Sequence, residues 1–340
     1  MHKEITIYDL ARELKLSPAT VSRGLKDHQA INKNTKKRIV EKAEEMGYRF
    51  NTFASNLRKK KTNTIGVIIP RMNSHFVSTA LAAMEKVASD SGYNIIISQS
   101  MESMAKEEVN AKTMFDNRVD GLLVSLAYDT VNIAHFQRFL KRNIPVIFFD
   151  RVHESDDTVS IIIDNYRNGY DITRHLAGQG CSRIMHITGN LKRNVYRERF
   201  RGYQQALEDE GLTYEEDMLI ISELNEAAGA EAAERILAMQ QRPDAVFVSN
   251  DVCAASCMRV LKQNGVRIPD DIAIAGFNND PISRIVEPNI TTVNYPSYQM
   301  GEIAATHLIN HLEGIADIHT TNKIILKSEV LLRESTLKKK

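Results

Sequence analysis

The chain has 340 residues, with 44 Lys and Arg against 43 Asp and Glu, 43% hydrophobic content and three cysteines. That length exceeds what one small core can hold, so two or three compact units are expected. No run approaches the ~18–20 consecutive apolar residues of a membrane span. Residues 1–6 lack the basic-then-apolar layout of a secretory signal, and a sparse, odd set of cysteines (Cys181, Cys253, Cys257) argues against a disulfide framework and for a reducing cytoplasm. The near-neutral net charge conceals a division. Residues 1–61 carry 15 Lys and Arg and 7 Asp and Glu, a balance of +8, and the other 279 carry 29 and 36, a balance of −7. A basic head on an acidic body points to a polyanion met by the head alone. Duplex DNA fits, because Lys and Arg at phosphates release counterions.

In chain order, Thr6 with Asp9 three residues later reads as a helix start. Leu10, Ala11 and Leu14 then recur at helical spacing. Lys15-Leu16 makes a tight link, and Ser17-Pro18 opens a second helix, Ser17 as cap and Pro18 where its missing N–H costs nothing. Val21 and Leu25 form its buried stripe, so Thr20, Ser22 and Arg23 face away. A third start at Asn32 leads to a face of Ile39, Val40, Ala43 and Met46, with Gly47 ending the helix. Two helices with so brief a link, plus a supporting third, describe a helix-turn-helix unit whose second helix enters the major groove. Small exposed residues let that helix approach base edges, and Arg23 can grip guanine bidentately. A DNA-free three-helix bundle is the alternative that charge and the small-residue face together oppose.

The residues Thr6-Ile7-Tyr8-Asp9-Leu10-Ala11, Ser17-Pro18-Ala19-Thr20-Val21-Ser22-Arg23 and Gly47-Tyr48-Arg49-Phe50-Asn51 closely resemble the head of the lactose-repressor (LacI/GalR) family, with matching spacing throughout. One departure is Lys15, where the family often has Gly; a Lys in a left-handed turn costs about 1 kcal/mol. The candidate DNA contacts are Thr6 and Tyr8 in the first helix start, Ser17, Pro18, Ala19, Thr20, Ser22 and Arg23 on the second helix, Asn32 and Thr35 on the third, and Asn51, Ala54 and Leu57 beyond it. Residues 51–58 are too few for a stable isolated helix and are expected to order with DNA and a second copy. The resemblance implies that Leu57 wedges into the minor groove opposite its counterpart from the other subunit of a homodimer, on a near-palindromic operator. Leu57→Ala should then weaken operator binding far more than non-specific binding, measured side by side; equal losses would remove the wedge.

From Thr64 apolar runs alternate with amphipathic stretches: Ile65-Gly66-Val67-Ile68-Ile69, Ile95-Ile96-Ile97, Leu122-Leu123-Val124 and Val146-Ile147-Phe148-Phe149, then Ile161-Ile162-Ile163, Ile184-Met185-His186-Ile187, Met218-Leu219-Ile220-Ile221, Ala245-Val246-Phe247-Val248 and Ile272-Ala273-Ile274. Repeated strand–helix alternation means parallel sheets covered on both faces, and so many strands indicate two lobes. The fold class is therefore an all-α helix-turn-helix head on an α/β body. The resemblance extends over the body and implies a periplasmic-binding-protein-like core whose chain crosses between lobes near Ile162, Thr292 and Asn322. The expected domains are 1–50 (head), 51–63 (hinge and linker) and 64–340 (effector-binding and dimerising body), with lobe 1 at about 64–161 and 293–321 and lobe 2 at about 162–292 and 322–340.

Ligands of open parallel sheets bind at the carboxyl ends of strands, which makes Asp150-Arg151 and Asn250-Asp251 candidates for a hydroxylated effector. Asn73 and Phe76 follow the first strand, and Phe277 follows the strand containing Ile272, with either ring able to stack on a sugar face. Arg199-Phe200-Arg201-Gly202-Tyr203 matches the family's Arg-x-x-Gly-aromatic element, which makes Arg199 an effector contact. Phosphate-loop, dinucleotide and nucleophile-elbow motifs are absent from the sequence, so no cofactor and no enzymatic activity are expected. Cys253 and Cys257 read as small core residues and His186 as a core histidine. A solute-binding protein would lack the basic head, and a sugar-binding α/β enzyme such as a kinase would carry nucleotide motifs. The reading is a cytoplasmic repressor controlled by a sugar-type effector. A dimer is favoured because no leucine heptad follows Arg333.

Overall fold

The computed structural model describes residues 5–48, 61–153 and 158–337. The chain divides into two compact units, Met1–Thr62 and Asn63–Lys340. In the first, α1 (Ile7–Leu14) opens with a reciprocal cap: the Asp9 N–H donates to Thr6 Oγ1 (3.3 Å) and the Thr6 N–H to Asp9 Oδ2 (3.0 Å). Lys15 ends it in the left-handed region (φ 54°), so the tight turn forms despite the missing glycine. Ser17 accepts the Thr20 N–H at 3.1 Å to start α2 (Pro18–Leu25), and Asn32 accepts the Thr35 N–H at 2.8 Å to start α3 (Lys33–Glu45). Leu10, Ala11, Leu14, Val21, Ile39 and Ala43 form the core, with Leu25 and Met46 packed at its edge. Val40 does not join them. It is 43% exposed, because Ile39 and Ala43 are about one turn apart on one face and Val40 is rotated ~100° round the helix from Ile39. Gly47 lies just past the C-cap with φ 67°, where a side chain would be strained.

The second unit begins with β1 (Thr64–Ile69), α4 (His75–Asp90), β2 (Asn94–Gln99), α5 (Met104–Asp116), β3 (Gly121–Val124), the short α6 (Gln137–Leu140), β4 (Val146–Phe149) and β5 (Val159–Ile163). It continues with α7 (Asn165–Gly178), β6 (Ile184–Thr188), α8 (Asn194–Asp209), β7 (Leu219–Ile221), α9 (Glu226–Ala238), β8 (Ala245–Val248), α10 (Asp251–Gln263), β9 (Ala273–Ala275) and α11 (Ile282–Ile285). It closes with β10 (Thr292–Asn294), α12 (Ser297–Leu312), β11 (Lys323–Leu326) and β12 (Glu329–Leu331). One parallel sheet has the order β11-β5-β4-β3-β1-β2, another β7-β6-β8-β9, and β10 pairs antiparallel with β12. Pairs α4–α12, α7–α8 and α9–α10 pack on these sheets. Strands β1, β3, β4, β6 and β8 are almost wholly buried, which explains their unbroken apolar runs.

One expectation about the lobes is refined and one corrected. Ile161, Ile162 and Ile163 stay in the first sheet, where Ile161 pairs with Phe149. Residues 323–326, expected in lobe 2, form the edge of the same sheet, with Ile324 opposite Ile161. The crossings therefore follow Ile163 and Leu326, with the return at β10. A four-residue edge strand starting at Lys323 has too little periodicity to announce itself. Among the described residues no helix is long and apolar enough to cross a membrane. Cys253 and Cys257 are fully buried, and His186 is buried with Nδ1–H donating to the Phe247 carbonyl at 3.0 Å.

Candidate functional site

Two sites emerge. On α2, Val21 and Gly24 turn inward, Ala19 and Arg23 are exposed, and Pro18, Thr20 and Ser22 are half-buried. Tyr8 is 68% exposed. Thr6, Ser17 and Asn32 are capping side chains, and Thr35 is half-buried with its N–H in the Asn32 cap. The head thus presents small side chains and one guanidinium on a short helix. Asn51, Ala54 and Leu57 lie outside the described residues.

The second site is a cavity of about 390 Å³ at the carboxyl ends of both parallel sheets. From lobe 1 it is lined by Asn73, Phe76, Asp150 and Arg151, and from lobe 2 by Arg199 and Asn250. Asp150 follows β4 in the left-handed region (φ 58°). Its Oδ1 accepts the Tyr295 hydroxyl at 2.8 Å and its carbonyl accepts Asn194 Nδ2 at 3.0 Å. Burial raises its carboxyl pKa, opposed by Arg151 and the Tyr295 hydroxyl. Arg151 donates to Glu102 Oε2 at 2.7 Å and to the Tyr196 hydroxyl at 3.1 Å, with its guanidinium 4.3 Å over the Tyr128 ring.

Arg199 is 3% exposed. It donates to Asn165 Oδ1 (2.8 Å) and the Ser249 carbonyl (3.1 Å), and burial lowers its pKa. Its placement explains the Arg-x-x-Gly spacing: a Cβ on Gly202 would collide with the Tyr166 carbonyl of α7, so only glycine lets α8 approach closely enough to aim Arg199 inward. Phe76 meets Tyr295 edge-to-face at 4.7 Å between centroids. Asn250 caps α10, accepting the Val252 N–H at 2.8 Å.

Two expected contacts do not line the cavity. Asp251 is fully buried; its Oδ2 accepts the Asp280 N–H (2.8 Å) and its Oδ1 the Thr292 hydroxyl (2.7 Å), which makes it a brace between α10, the loop after β9 and β10. Phe277 is fully buried under Arg199, 3.5 Å from ring centre to guanidinium carbon, so it supports the arginine instead of meeting a ligand. The sequence reading missed Glu102, Tyr128, Tyr196, Asp280 and Tyr295, all of which line the cavity. Glu102, Tyr128 and Asp280 follow strands β2, β3 and β9, so the strand-end rule reaches them. Tyr196 lies one helical turn before Arg199. Tyr295 follows a three-residue strand and carried no signal. The lobes touch across the cavity through Tyr128–Tyr196 (3.1 Å between hydroxyls) and Arg71–Glu223 (2.5 Å).

A model described as "Bacterial regulatory proteins, lacI family" matches residues 6–51, and one described as "Periplasmic binding protein-like domain" matches 173–336. Catabolite control protein A of Priestia megaterium is 31% identical over 309 residues, 91% of this chain and 92% of that protein. The chain belongs to the LacI family. Like its LacI-family relatives it is a transcriptional regulator. The fold is similar to that of a lac repressor dimer bound to operator and the anti-inducer ONPF (TM-score 0.85, 23% identity, 99% of this chain and 100% of that one). It is also similar to the transcriptional regulator CelR in complex with cellobiose (TM-score 0.72, 23% identity, 98% and 100%).

Proposed function

We propose that this LacI-family regulator is a homodimeric repressor that reads a near-palindromic operator with α2 and senses a small polyhydroxy effector in the interlobe cavity. The observation that carries the reading is a recognition-type helix and a cavity walled by both lobes within one chain. Asp150, Asn250 and Arg199 offer the acceptors and donors that vicinal hydroxyls need, and Phe76 and Tyr295 offer apolar faces. The operator-bound lac repressor dimer and the cellobiose-bound CelR support the DNA and sugar parts by likeness of fold. Exposed Ile96 and Ile97 on the edge strand β2 support self-association. A ligand bridging Asp150 and Arg151 on one lobe to Arg199 and Asn250 on the other favours closure, and it shifts operator affinity by the difference in its affinity for the two states. Domain limits near 50 and 63 follow from the same reading.

The test is operator selection from random duplexes with full-length protein, followed by binding across a salt series. Affinity should fall with a slope of about −0.9 per phosphate neutralised and the footprint should be two-fold symmetric. A flat salt response or an asymmetric footprint overturns the dimeric DNA reading.

A further inference from the structure

The cavity is acidic, and its cations are engaged. Among the described residues five carboxylates line it (Glu102, Asp150, Glu223, Glu226, Asp280) against three guanidiniums (Arg71, Arg151, Arg199). Arg71 is paired with Glu223 at 2.5 Å and Glu102 at 3.5 Å, and Arg151 with Glu102 at 2.7 Å. Arg199 is held by two neutral acceptors and has Asp150 nearby. Asp280 is different. Only 5% exposed, it lines the cavity, yet its Oδ1 has no hydrogen-bond partner among the described residues. Most of its bonds to the fold are made by the backbone: the N–H donates to Asp251 Oδ2, and the carbonyl accepts the Ser283 N–H (2.9 Å) and hydroxyl (2.7 Å), while the carboxyl has a side-chain bond with Asn278. Leaving a buried acceptor unpaired costs about 1–3 kcal/mol, and burial raises this carboxyl's pKa, with His75 and Asn278 opposing. A fold that needed only the loop would keep the backbone bonds and do without the acid.

We propose that Asp280 is a ligand-facing acceptor, and that the cavity takes a ligand presenting hydrogen-bond donors, hydroxyl or ammonium, while rejecting carboxylate and phosphate forms of the same ring. The proposal deepens the effector reading above and rests on it. An anion entering here finds Arg71 and Arg151 already paired with carboxylates, Arg199 tied to Asn165 and the Ser249 carbonyl beside Asp150, and the Asp280 carboxyl facing it, in a setting where like charges are poorly screened.

The experiment uses full-length protein in thermal-shift and calorimetric titrations. The probes are matched sets on gluco, galacto and manno rings: neutral hexose, hexosamine, hexuronate and hexose phosphate, with neutral disaccharides of the same rings. A neutral or amine-bearing member should raise the melting midpoint while uronates and phosphates leave it unchanged. Asp280→Asn, without ligand, should melt at or above the unaltered protein, and it should weaken the responding ligand about tenfold or more, as expected for losing a hydrogen bond to a charged group. Three results overturn the assignment: binding of a uronate or phosphate as tight as its neutral counterpart, no response to any neutral or amine-bearing member, or a lower midpoint for ligand-free Asp280→Asn, which would mean a structural acid. A uronate that binds and alters operator affinity sinks the charge assignment and leaves the effector role standing. Compounds that bind without altering operator affinity sink the effector role instead.

Discussion

The head and the body deploy polar side chains in opposite ways. In the head, Thr6, Ser17 and Asn32 bond to backbone three residues away, and the outer face of α2 is left to solvent over a small core. In the body, Asp150, Arg199 and Asp251 are enclosed and bonded to partners 145, 34 and 41 positions distant. Even the Glu107 carboxylate is fully buried, receiving the Ala127 N–H, the Thr130 hydroxyl and the His135 ring. The head's chemistry rides on a face that a few apolar residues hold up. The body's chemistry lies inside a network whose members hold one another.

The largest effect that would sharpen this contrast is loss of the head core. Ile39→Ala, at a fully buried position, should cost about 2–5 kcal/mol, enough to unfold so small a unit. Operator binding should vanish while the melting transition of the body stays in place. A body transition that moved with it would break the division. Next comes acid. His186 is held neutral, its pKa lowered to about 3, first by burial and then by Arg199, against the Phe247 carbonyl. The unfolded chain takes up this proton below its usual pKa near 6.5 and the folded chain does not. Stability from this group is therefore full above that value and declines as pH falls toward about 3, by about 2 kcal/mol at pH 5. Urea unfolding at pH 7 and pH 5 should show this drop, and His186→Gln should flatten it. Removing a cap is smaller: Ser17→Ala should cost the head about 1 kcal/mol, read as a lower midpoint of its own unfolding. The smallest effect belongs to Arg71–Glu223, whose side chains are 38% and 58% exposed. Glu223→Gln should change the body's unfolding free energy by less than about 1 kcal/mol, and a larger change would show that the surface pair clamps the lobes.

Much of the fold was legible because its signals are local. The caps at 6, 17 and 32 and the apolar runs of β1, β3, β4, β6 and β8 stand in consecutive residues. Strand ends located Asp150, Arg151, Asn73, Phe76 and Asn250 in the cavity wall. The same rule misplaced Asp251 and Phe277, since position after a strand does not say whether a side chain turns to the cavity or beneath it. Val40 failed for a similar reason, one residue off the face that packs. The lobe limit near 322 failed because a strand's sheet is chosen by its partner, here β5 for β11.

The order of amino acids alone determined where helices begin, which runs must be buried, and that a basic head precedes an acidic two-lobed body, because capping, periodicity and charge act within a few residues. Only the tertiary structure decided that Tyr295 meets Asp150, that Phe277 lies under Arg199 and that Asp280, in the cavity wall, has an Oδ1 without a hydrogen-bond partner among the described residues. Those are matters of which burial and which neighbour a side chain acquires, and both are set when distant segments pack.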